Sequence, residues 1–117
     1  MFGFTLGSYA EEPSPALSAR EVLNAYMLIR HKVQDYGKWK AAFDAHGATR
    51  KTSGSKGGRL LRNAEDPNEL VILFEWDDVK KARQFAQSED LRKAMQGAGV
   101  IGKPDIHFLE EVDQPKA

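Results

Sequence analysis

The alternation of apolar and polar side chains divides the chain into six elements. Tyr26 to Val33 (Tyr-Met-Leu-Ile-Arg-His-Lys-Val) reads as a first strand. Asp35 then stands where a helix N-cap belongs. From it Tyr36, Trp39, Phe43, His46 and Arg50 follow at steps of three, four, three and four, which is one stripe of an amphipathic helix. Ser53-Gly54 ends that helix, because glycine relieves the left-handed turn past a helix C-terminus. Arg59 to Asn63 reads as a second strand, Glu65-Asp66-Pro67-Asn68 as a turn, and Leu70 to Trp76 as a third strand. With only a turn between them, the second and third strands form an antiparallel hairpin. Asp77 and Asp78 cap a second helix with Val79, Ala82, Phe85 and Ala86 inward, and Ser88 restarts it with Leu91, Ala94, Met95 and Ala98 inward. Gly97, Gly99, Gly102 and Pro104 end the helical stretch, and Asp105 to Val112 is the last strand.

Strand, helix, strand, strand, helix, strand is the split βαβ order. It predicts an α+β fold: a ferredoxin-like βαββαβ sandwich, with a four-stranded antiparallel sheet and both helical stretches on one face. The third strand bears on the other face. Its even positions, Leu70, Ile72, Phe74 and Trp76, are all apolar; its odd positions, Val71, Leu73, Glu75 and Asp77, are half apolar. A face open to water would alternate cleanly. A second sheet is the economical cover, so a homodimer is expected. The organised domain is expected over residues 25–113. Residues 1–24 read as an N-terminal arm: the first 16 hold two prolines, two glycines and two serines without periodicity, and Leu17 to Asn24 suits a short helix capped by Ser18.

Bulk composition narrows the function. A chain of 117 residues is one domain by length. Lys and Arg number 17, as do Asp and Glu, which argues against nucleic acid as a partner, since phosphate binding needs a basic excess. The chain has no cysteine, so disulfides, thiolate metal sites and a cysteine nucleophile are excluded. No apolar run approaches the ~20 residues that cross a bilayer. Met1 to Gly7 lacks a basic n-region, so no cleavable leader and no membrane association are expected, and the cytoplasm is the default compartment.

Two segments resemble the antibiotic-biosynthesis-monooxygenase group of dimeric α/β barrels. Leu61-Arg62-Asn63-Ala64-Glu65-Asp66-Pro67-Asn68-Glu69 is similar to the hairpin of those domains, and Phe74-Glu75-Trp76-Asp77-Asp78 followed by Ala82 to their third strand entering the second helix. With the element order, the likeness covers residues 25–113. It implies a pocket between helices and sheet, and a superfamily of cofactor-free monooxygenases, haem-degrading enzymes, small isomerases and cyclases, and members with no known activity. The haem-degrading members pair the third-strand Trp with a haem-ligating His nine or ten positions on. Trp76 matches the Trp, but Phe85 and Ala86 stand where that His would be, and residues 26–33 lack the first-strand Asn of those members. Haem degradation is not expected, and no cofactor is.

His46 is the leading catalytic candidate: it shares the inner stripe with Trp39 and Phe43 and can exchange a proton near neutral pH. The competing reading is a His hydrogen-bonded to a backbone carbonyl or reaching solvent at the edge of the stripe. Trp39, Phe43, His31, Glu75 and Trp76 are the candidate substrate-contacting residues. Trp76, with Phe74 and Tyr26, could equally be sheet packing. Glu75 could be a general acid or base if buried, or a salt-bridge partner. Arg30 would want a carboxylate or an anionic ligand if buried, or is simply exposed at an edge. His31 and His107 lie on neighbouring strands and are read as a cross-strand pair at the dimer interface. A metal site needs three or four converging ligands, and the sequence has no HxxxH or HxH spacing, so none is expected. Gly54, Gly57 and Gly58 make no phosphate loop, and no nucleophile elbow is present.

Two functions follow. One is a cofactor-independent monooxygenase-like protein acting on a small aromatic or enolisable substrate. The other is a non-catalytic homodimer of the same fold, structural or binding a small apolar ligand.

Overall fold

The computed structural model describes residues 24–117. The arm expected over residues 1–24 therefore lies almost wholly outside the described residues. Eight elements follow: β1 (Ala25–Val33), α1 (Tyr36–Ala45), α2 (Gly47–Ser53), β2 (Ser55–Asn63), β3 (Asp66–Trp76), α3 (Val79–Ala86), α4 (Glu89–Gly97) and β4 (Val100–Glu110). The four strands form one antiparallel sheet in the order β2-β3-β1-β4, the ferredoxin-like arrangement expected.

Side-chain parity sorts the sheet into two faces, since successive residues of a strand point to opposite sides. Met27, Ile29 and His31 of β1 stand opposite Phe74, Ile72 and Leu70 of β3, and all six are buried. The helices pack on this inner face through Trp39, Ala82, Phe85 and Leu91, joined from β4 by Ile106 and Phe108. On the outer face Leu28 pairs with Leu73 and Tyr26 with Glu75, all only partly buried.

The caps are those expected. The Asp35 carboxylate accepts from the Lys38 N–H, Asp78 from that of Lys81, and the Ser88 hydroxyl from that of Leu91. Gly54 closes α2 at φ +120°, a conformation that side chains rarely tolerate.

Four boundaries differ from expectation. Strand β2 begins at Ser55, ahead of Arg59. The single first helix is two, divided at His46, whose backbone stays right-handed but opens to φ −87°, ψ 0°. The hairpin turns at Ala64 and Glu65, one residue ahead of the expected Glu65-Asp66-Pro67-Asn68 and sharing Glu65 with it, because the Asn63 side chain accepts from the Glu65 N–H at 2.7 Å and ties the turn there. Strand β4 begins at Val100, ahead of Asp105, with Gly102 and Pro104 inside it, and ends at Glu110, short of Val112. It is an edge strand, where a missing N–H costs no ladder bond.

Candidate functional site

The side chains of interest gather under the helices at the α1–α2 junction. Helix α1 brings Trp39 and Phe43 onto the sheet with their rings stacked at 4.7 Å, and Phe43 in turn stacks on Phe74 of β3 at 5.9 Å. His31 meets the edge of Trp39 at 5.6 Å. These residues, with Ile29, Ile72, Phe85 and Met95, wall a narrow cleft of about 50 Å³ between helices and sheet. His46 is part of the same wall, with its ring 5.9 Å from that of Phe85.

His46 owes its position to the break in the helix. Its backbone N–H bonds back to Ala42 and Phe43, while its carbonyl accepts the N–H of Arg50, so one residue closes α1 and starts the next turn. Its imidazole Nε2 lies 2.8 Å from the Asp90 Oδ2, and the ring is mostly buried while the carboxylate is exposed. The partner is thus neither the backbone carbonyl nor the solvent expected, but a carboxylate on α4. With Nε2 donating to Asp90, Nδ1 is the nitrogen left to accept a proton. A carboxylate that fixes the tautomer of an imidazole is the usual support for a histidine base.

His31 is 6% exposed. Burial pushes its pKa below the ordinary 6.5, and a weak contact with its own backbone opposes this without outweighing it. Its Nδ1 has no hydrogen-bond partner of ordinary geometry among the described residues. His31 is therefore a neutral ring inside the sandwich.

Beyond Phe43 a second and larger cavity opens between α2 and the β2–β3 edge, with a volume of about 440 Å³. Phe43, Arg50, Ile72 and Phe74 border both spaces. The Arg50 guanidinium carbon lies over the Phe43 ring, 3.9 Å from its centre, with the centre of Phe74 5.3 Å away. Burial lowers its pKa from the ordinary value, and the nearby Asp44 charge opposes that shift. The floor of this cavity depends on Gly58. A Cβ there would stand 2.0 Å from the Leu73 carbonyl oxygen, so only glycine lets β2 approach β3 at this point.

Four of the six sequence-derived site residues thus converge: His46, Trp39, Phe43 and His31 line one cleft. Two do not. Trp76 is buried in the core against Phe85 at 5.1 Å and borders neither cavity, with its indole N–H unpartnered among the described residues. Glu75 points from the outer face of the sheet, where Lys56 approaches it at 3.9 Å, because it is out of phase with Phe74 and Trp76 by one residue. The expected pairing of His31 with His107 also fails: His31 faces the helices, while His107 lies between the inward Ile106 and Phe108 and is exposed. Arg30 is exposed, with Glu69 at 3.9 Å and Asp105 at 3.6 Å. Among the described residues no three His, Asp or Glu side chains cluster as metal ligands would, and no helix is long and apolar enough to cross a membrane. Sequence reading missed Asp90 and Arg50 as site residues. Arg50 carried a usable signal, as a cation ending an apolar stripe; Asp90 carried none beyond its place after the Ser88 cap.

No family model and no curated protein matches this sequence. Solved structures share the fold. A protein of Bordetella bronchiseptica with a provisional antibiotic biosynthesis monooxygenase assignment superposes with a TM-score of 0.66 at 20% identity, over 76% of this chain and 97% of that one. One of Caulobacter crescentus CB15 with the same provisional assignment gives 0.62 at 15% identity, over 84% and 98%. SnoaB, a cofactor-independent oxygenase from Streptomyces nogalater, gives 0.63 at 16% identity, over 79% and 95%. The resemblance read from the hairpin and third strand thus extends to the whole domain as a shared fold. At these identities the likeness establishes the fold and leaves the chemistry to the site.

Proposed function

We propose that this chain is a cofactor-independent monooxygenase-like protein that acts on a small aromatic or enolisable substrate held between helices and sheet. The observation that carries the reading is the His46–Asp90 pair on the wall of an aromatic-lined cleft that adjoins a 440 Å³ cavity. A cavity of that size suits a ligand of two or three fused rings. The similarity in fold to SnoaB agrees with it.

In this reading Asp90 holds the imidazole, and His46 removes the proton of a phenol or enol. The resulting anion is electron-rich enough to reduce dioxygen itself. Oxygen adds at carbon as a peroxide, the O–O bond breaks with loss of water, and the phenol leaves as a quinone carrying one new oxygen atom. Substrate is the reductant, so the balance closes with one dioxygen consumed and one water released. The apolar walls of Trp39, Phe43 and Phe74 keep water from the anion.

The working unit is a homodimer joined through the outer face of the sheet. Leu61 and Ile101 are half exposed there and Leu109 is 40% exposed, an apolar surface that a second sheet would cover.

Oxygen uptake with a panel of hydroxynaphthalenes tests the enzyme reading. Uptake above the buffer rate is expected, falling about a hundredfold in His46→Ala and less in Asp90→Asn. No uptake, or a His46→Ala variant as fast as the parent, would sink it. The second reading, a binder without chemistry, draws on the small space of about 50 Å³ at His46, too little for a ring unless the cleft opens.

A further inference from the structure

Arg50 feels the charge of Asp44, but not at ion-pair distance. Among the described residues it makes no ion pair and no side-chain hydrogen bond, whereas Arg30, Lys32, Lys40, Lys56, Lys81 and Arg92 each have a carboxylate within 4.0 Å. Yet Arg50 is the half-buried one, held on Phe43 and drawn down in pKa by desolvation. A partly desolvated guanidinium without a carboxylate is an unspent set of planar donors. The cavity it borders has no Asp or Glu in its lining, and Lys51, Lys56 and Arg59 add three further cations at its edge. Its floor is apolar and flat, formed by Leu60, Ile72 and the stacked Phe43 and Phe74. Gly47 keeps the space beside the guanidinium open: a Cβ there would lie 3.4 Å from an Arg50 Nη.

We propose that the 440 Å³ cavity is a binding site for a planar aromatic acid, with its carboxylate on the Arg50 guanidinium and its rings on Phe43 and Phe74. This rests on the oxygenase reading only for what happens next. Within that reading it narrows the substrate to a hydroxylated aromatic acid whose carboxylate is anchored at Arg50, with the hydroxyl turned toward His46. Lys51 strengthens the local field and does not touch the ring. A neutral ligand of the same shape would leave the guanidinium without an anion in a partly dry site, so the site discriminates by charge.

The test is calorimetric titration with 3-hydroxy-2-naphthoate and with its neutral carboxamide. The acid is expected to bind at least about tenfold tighter, the scale of one charge-assisted hydrogen-bonded pair. Arg50→Met should abolish that preference by weakening the acid and sparing the amide, and Arg50→Lys should restore part of it. Gly47→Leu, which crowds the guanidinium without changing charge, should weaken the acid too; it keeps the question answerable if Arg50→Met fails to fold. Equal affinity for acid and amide, or a preference that survives Arg50→Met, overturns the proposal. Acid binding that depends on Arg50 without oxygen uptake would uphold the site and sink the oxygenase. Oxygen uptake from neutral phenols, unchanged in Arg50→Met, would do the reverse.

Discussion

The two faces of the sheet use the same strands and end in opposite conditions. On the inner face Met27, Leu70, Ile72 and Trp76 are at most 2% exposed beneath four helices. On the outer face their chain neighbours Leu28, Val71 and Leu73 are covered only in part, and Leu61 is 53% exposed. One residue of register separates the two populations. The inner face is closed over within one chain; the outer face mixes the part-covered Leu28, Val71 and Leu73 with the charged Arg30, Lys32, Glu69 and Glu75. A single strand, β3, thus contributes to both faces.

The sharpest way to break the comparison is at Gly58, where the sheet itself depends on a missing side chain. Gly58→Ala forces a Cβ into the Leu73 carbonyl, which neither backbone can yield cheaply. A loss of about 3 kcal/mol or outright misfolding is expected in urea denaturation; a change under about 1 kcal/mol would mean that the strands part there without cost.

Next comes the pair Ile72→Ala and Leu73→Ala, adjacent in sequence and opposite in face. The inner truncation should cost roughly 2–5 kcal/mol at any protein concentration. The outer one should cost less than about 1 kcal/mol in the monomer and act mainly by weakening association. Sedimentation of Leu73→Asp sharpens this: a dimeric parent and a monomeric, folded variant are expected. A parent that sediments as a monomer at micromolar concentration removes the dimer.

The smallest effect concerns pH. His31 has its folded-state pKa lowered below 6.5, so the unfolded chain binds its proton first as pH falls. The stability that His31 lends is complete above pH 6.5, declines as pH drops toward the folded value, and is level below it. Unfolding midpoints of the parent and His31→Leu between neutral and mildly acidic pH should therefore converge as pH falls. Parallel lines would show His31 to be as easily protonated in the folded chain as in the unfolded one.

What was legible beforehand follows the range of the forces involved. Caps at Asp35, Asp78 and Ser88 and the parity of β3 are set within four residues, and each was readable. The break at His46 was not, because the three-and-four spacing of the apolar stripe runs straight through it. Nor was the His46–Asp90 bond, whose partners are 44 residues apart and meet only through tertiary packing. Glu75 is a different kind of miss. Alternation already assigned it and Trp76 to opposite faces, so one of them had to lie away from any site under the helices; in fact both do. The His31–His107 pairing failed because strand order says which strands are neighbours but not which faces coincide. Gly102 and Pro104 read as breakers because the edge position that tolerates them is a property of the sheet, not of the segment.

The stacking of Trp39 has an optical consequence. The chain has two tryptophans, and they stand in unlike surroundings. Trp39 is bracketed by Phe43 and His31 on the cleft wall, while Trp76 is buried against Phe85. Replacing either one by phenylalanine leaves a single tryptophan, which can be excited apart from the three tyrosines. A chain lit only by Trp39 becomes its own indicator of what enters the cleft, and one lit only by Trp76 registers whether the core is still shut.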